Sequence, residues 1–148
     1  MTLPTQAHCC GDVPPIPEPC PRLSAAEVRA RSLEHHLALV AMRDGRGNRE
    51  GLICLLRAAR LAFHLRDVTA SGSETDPFRR AGAALGRCVA RAERGERWLL
   101  LDREYKTLHL LLMLHDEQLA AVPMQRYMSA WKQFESTVEG ITFPLEPG

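Results

Sequence analysis

From residue 24 to residue 138, apolar side chains recur every three or four positions, and nowhere do they alternate over more than a few residues. That periodicity selects helices packed on helices and leaves little from which to build a sheet. Each periodic stretch also carries its own start and stop signals. Ser24-Ala25-Ala26-Glu27 is a capping box, in which hydroxyl and carboxylate each satisfy an otherwise unpaired amide. A first helix is therefore predicted from Ser24 to about Arg43, stopped by Asp44-Gly45-Arg46-Gly47. At 100° per residue, Ala26, Ala30, Leu33, Leu37, Val40 and Ala41 form its apolar stripe, expected to face the core.

Asn48 is a cap for a second helix, about Arg49 to Asp67. Leu52, Ile53, Leu56, Ala59 and Phe63 form its main face, and Leu55, Leu61, Ala62 and Leu65 cover most of the remainder. A helix apolar nearly all round belongs at the centre of a bundle. Asp76-Pro77 reads as a cap followed by proline at the first helical position, opening a third helix that Gly95 closes after Arg94. Its Phe78, Ala81, Leu85, Cys88, Val89 and Ala92 point one way, and Arg79, Arg80, Arg87, Arg91 and Arg94 point the other. Gly82 and Gly86, each costing about 1 kcal/mol relative to alanine, are expected to admit the close approach of a neighbouring helix. A fourth helix, about Asp102 to Ala121, carries Leu101, Tyr105, Leu108, Leu111, Leu112, His115 and Leu119 on one stripe. Val122-Pro123 breaks the chain before a fifth helix, whose stripe is Met124, Tyr127, Met128, Trp131, Phe134 and Val138. The prediction is an all-α five-helix bundle.

The 148 residues suffice for one domain, placed at 23–139. Residues 1–22 hold six of the ten prolines and read as a disordered tail, and residues 140–148 as an irregular one. No apolar run approaches the roughly 18 residues of a membrane span. Prolines interrupt the place where a signal peptide's apolar region would lie. Five cysteines, an odd number without an export pattern, point to free thiols in a reducing cytoplasm. Seventeen arginines against only Lys106 and Lys132 match the bias of a GC-rich bacterial genome. The net charge of +1 is divided: residues 1–21 carry −2, residues 22–67 carry +4, residues 74–97 carry +2, and residues 102–148 carry −3.

The residue types that announce chemistry are poorly arranged. His8, Cys9, Cys10 and Cys20 are four soft donors, but their spacing fits no zinc knuckle. None of the six histidines completes the Glu-x-x-His pair of a di-iron bundle. Cys54 and Cys88 lie within helices, where burial raises a thiol's pKa and makes it unreactive. His109 and Asp116 share a polar face with Asp102 and read as a solvated patch. His115, by contrast, stands inside an apolar stripe and is expected to be buried, with Tyr105 on the same stripe as a partner. No catalytic, cofactor or metal site is therefore predicted.

Two surfaces remain as candidates. The arginine face of helix three (Arg79, Arg80, Arg87, Arg91 and Arg94) could neutralise phosphates, and the outer face of helix five (Gln125, Arg126 and Ser129, with Lys132 and Gln133) could read base edges. Against nucleic acid stands the acidity of the C-terminal half. The other candidate is an interface: Leu110, Met113 and Leu114 fall outside the main stripe of helix four and need a second partner. Helix one has a similar surplus in Val28, Leu39 and Met42, and helix two in Leu61 and Leu65. The expected function is that of a small accessory or regulatory protein that binds another protein or itself as a homodimer. A DNA-binding regulator is the alternative.

Overall fold

A computed structural model describes residues 21–70 and 74–139, with side chains as far as residue 136. The expectations for residues 1–20, including His8, Cys9, Cys10 and Cys20, for residues 140–148 and for the side chain of Val138 lie outside that set. Five helices follow in order: α1 (Ala25–Arg43), α2 (Arg49–His64), α3 (Asp76–Glu93), α4 (Asp102–Ala121) and α5 (Met124–Glu139). No strand is present among the described residues, so the all-α bundle is as predicted. None of these helices is long and apolar enough to cross a membrane.

The local signals act as expected at most ends. Ser24 Oγ accepts from the Glu27 amide at 3.1 Å, and Glu27 accepts from the Ser24 amide at 2.8 Å. Asn48 caps α2 by accepting from the Gly51 amide at 2.7 Å. Gly45 and Gly95 adopt the left-handed φ values of 77° and 87° that end α1 and α3. Two boundaries differ. Helix α2 stops at His64, three residues short of Asp67. Asp76 is the first residue of α3 and not its cap; its carboxylate pairs with Arg80 one turn on, at 3.0 Å.

Helix α2 packs against all four others, which is the central position its two apolar faces require. One face joins the main core, where Leu52, Leu55, Ala58 and Ala62 meet Leu39 and Met42 of α1, Phe78, Ala81, Leu85 and Cys88 of α3, and Leu108, Leu111 and Leu112 of α4. The other face supplies Leu61 and Leu65 to a second cluster with Leu23, Leu119, Val122, Tyr127 and Ala130. The surplus apolar residues of helices one and two are thus packed within the chain. Pro21 and Arg22, assigned to the tail, belong to this unit too: the Pro21 carbonyl accepts from the Met124 amide at 2.7 Å, and Arg22 bridges to Pro123.

Two expectations about faces are corrected. The predicted core stripe of α1 points outward: Ala26, Ala30, Leu33, Leu37 and Val40 are all exposed, while His35, Leu39 and Met42 are buried. The reason lies on α4, which presents polar groups to α1 and so selects the face that can answer them. On α3, Gly82 and Gly86 are exposed, and a Cβ at either would meet nothing within 4 Å. No helix approaches them. The close approach is at Gly47 instead, where a methyl group would run into Met42 Sδ and the Trp98 carbonyl.

Candidate functional site

The antiparallel contact between α1 and α4 brings four histidines together with Asp116 and Gln118. His115 is fully buried, as expected. Gln118, one turn along α4, donates from Nε2 to the Ala62 carbonyl of α2 at 3.0 Å, which leaves its Oε1 to accept from His115 Nδ1 at 2.9 Å. The ring is therefore the Nδ1–H tautomer, and its buried Nε2 has no partner. The His35 ring lies 5.5 Å from it, also buried, with an unpartnered Nδ1. Burial, together with the nearby His115, pushes the pKa of His35 down to about 4; burial likewise lowers that of His115. Both rings are neutral near pH 7.

Tyr105 is not the partner of His115. Ten residues separate them, about 15 Å along a helix at 1.5 Å per residue. Tyr105 instead stacks on His109, with ring centroids 5.8 Å apart, and the Arg43 guanidinium of α1 sits 4.6 Å from its centroid. His109 and Asp116 do not form a solvated patch either. Asp116 accepts from His36 Nε2 of α1 at 2.8 Å, and the His36 ring meets His109 edge-on at 5.8 Å. Sequence reading passed over His35 and His36. The signal was available: two histidines one step apart on a helix whose large residues Leu39 and Met42 continue the same face. Among the described residues no group of His, Cys, Asp or Glu is arranged to hold a metal ion.

The arginine face of α3 is largely engaged. Glu104, 2% exposed at the start of α4, accepts from Arg91 Nη1 at 3.0 Å, Arg87 Nε at 3.1 Å and the Leu101 amide at 3.0 Å. Burial pushes this carboxyl's pKa up, but the hydrogen bonds from Arg91, Leu101 and Arg87 outweigh it and hold the group below the usual carboxylate range. Arg91 also donates to the Leu99 carbonyl at 2.9 Å, locking the segment before α4 onto α3. Arg80 pairs with Asp76 and Arg94 with Glu96. Arg79 is exposed and enters no ion pair among the described residues. On α5, Gln125 and Ser129 are exposed, whereas Arg126 reaches Asp67 at 2.9 Å and the His64 carbonyl, tying α5 to the end of α2. Cys54 and Cys88 are both free, and burial raises both thiols.

The interface candidates of α4 divide. Leu110 and Met113 are 67% and 51% exposed, and Leu114 is half-buried against the main core. The three residues line an open groove of about 540 Å³ between α3 and α4, whose rim carries Glu74, Asp76 and Glu117 against Arg80. Comparison with family models, with curated proteins and with solved structures finds no match for this chain.

Proposed function

We propose that this chain is a cytoplasmic accessory module that works by holding another protein and carries no catalytic centre. The observation that carries the reading is the outward pair Leu110 and Met113 beside an open groove. Large apolar side chains at that exposure, grouped along a groove, mark a contact surface. Three carboxylates against one guanidinium on the rim favour a partner segment with apolar side chains on one face and basic ones flanking it. An amphipathic helix laid in the groove has that chemistry.

The nucleic-acid alternative draws less support. Arg80, Arg87, Arg91, Arg94 and Arg126 are already paired with four carboxylates of the same chain, Arg87 and Arg91 sharing Glu104.

Fluorescence anisotropy with a labelled amphipathic peptide bearing leucines on one face and lysines on both flanks tests the reading. Binding is expected to weaken with salt, to vanish when the flanks are glutamates, and to be lost in Leu110→Asp/Met113→Asp. A labelled DNA duplex should not bind even at low salt. Duplex binding with a steep salt dependence, or peptide binding indifferent to the double substitution, overturns the proposal.

A further inference from the structure

The outward face of α1 has an order of its own. Ala26, Ala30, Leu33, Leu37 and Val40 are spaced four, three, four and three residues apart, the 3.5-residue repeat of a two-stranded coiled-coil seam. Leu33 and Leu37 are each 59% exposed, and the residues that bury α1 in its own domain, His35, Leu39 and Met42, lie on the opposite side. The seam is thus continuous, apolar and uncovered by any of the described residues.

Charge along its two borders says what covers it. Glu27 and Glu34 follow the seam residues on the border toward α2, where Glu34 is near enough to raise the Cys54 thiol. Arg29 and Arg43 run along the other border, toward α4, with His36, already paired with Asp116, between them. One border is acidic and the other basic. Two copies of α1 laid antiparallel would set acid against acid and base against base. Laid parallel, each basic border meets the partner's acidic border, and the five-residue offset of such pairs places Arg29 opposite Glu34 of the second copy, twice by symmetry. Neither Arg29 nor Glu34 has an ion-pair partner among the described residues of its own chain.

We infer that the outer face of α1 is a self-association surface on which two copies of this chain pair as a parallel, in-register helix dimer. The surface is distinct from the α3–α4 groove, which stays open in the dimer. The seam from Ala26 to Val40 is about 21 Å long at 1.5 Å per residue, so the contact belongs among small interfaces and is expected to dissociate in the micromolar range.

Sedimentation equilibrium of the full chain, from low to several hundred micromolar, tests this. The mass is expected to rise from 16.5 kDa toward twice that value with concentration. Leu37→Asp should hold the chain monomeric with an unchanged helical circular dichroism spectrum, because the side chain leaves no core position. Arg29→Glu and Glu34→Arg should each weaken pairing about tenfold, two ion pairs giving way to two repulsions, and the double exchange should restore it. A constant mass of one chain, association indifferent to Leu37→Asp, or association strengthened by Arg29→Glu (the mark of antiparallel helices) overturns the inference. Leu110→Asp/Met113→Asp should leave the mass profile unchanged, so failure here is separate from failure of the groove.

Discussion

Lowering the pH should unfold this domain through a pair of histidines that the fold holds neutral. An unfolded histidine titrates near 6.5, whereas His35 in place titrates at about 4, because it is buried beside His115. The groups around it are His115 and Asp116 of α4 and Arg31 and His36 of α1, and the attraction of Asp116 does not offset the rest. The folded pKa is below the unfolded one, so the unfolded chain binds more protons as pH falls from about 7 toward 4. Stability is therefore full above the unfolded pKa and declines through that window. For His35 alone the loss between pH 7 and pH 5 is about 2 kcal/mol, taking about 1.4 kcal/mol for each tenfold change in proton affinity. His115, shifted the same way, adds to it. Urea denaturation at the two pH values, on the parent chain and on His35→Leu, isolates the term. His35 Nδ1 has no hydrogen bond to lose, so the variant should fold, and its stability should fall between pH 7 and 5 by about 2 kcal/mol less than the parent's. Equal losses in the two chains would refute the reasoning.

Two further outcomes concern α3. Gly82→Ala and Gly86→Ala should each stabilise the domain by up to about 1 kcal/mol, since a methyl group at either meets nothing and removes the helix penalty of glycine; thermal unfolding reads the gain. Glu104→Ala should cost about 3 kcal/mol in urea denaturation, because it removes the acceptor that Arg91 and Arg87 share and leaves the Leu101 amide unpaired. Loss of the same size in Arg87→Ala is not expected, since that side chain is 56% exposed.

The helices were legible because their ends are chemically marked: the Ser24–Glu27 box, Asn48, Gly45 and Gly95 each act locally, before any tertiary contact forms. The orientation of α1 was not. Its outward stripe of Ala26, Ala30, Leu33, Leu37 and Val40 is as apolar as its inward one, and the inward one contains a histidine. What decides between them is a complement on another helix, His115 for His35 and Asp116 for His36, eighty residues away in sequence. The same holds for Glu104, an ordinary first-turn acid by sequence, which becomes the buried acceptor for two arginines of α3. Glycines mislead in the other direction. Gly82 and Gly86 share the spacing of a packing motif, yet they fall on the exposed side of a helix whose core face is set by Phe78, Ala81, Ala84, Leu85 and Cys88.

Methionine oxidation by hydrogen peroxide, followed residue by residue in a mass spectrometer, bears most directly on the claim that the α4 groove is the binding surface. Met113 and Met128 are both about half exposed, and Met42 is fully buried. In the free chain Met113 and Met128 should oxidise quickly while Met42 resists. Saturation with the lysine-flanked amphipathic peptide should slow Met113 severalfold and leave Met128, on α5, unchanged. An oxidation rate at Met113 that ignores the peptide, or protection that falls on Met128 instead, would contradict the claim.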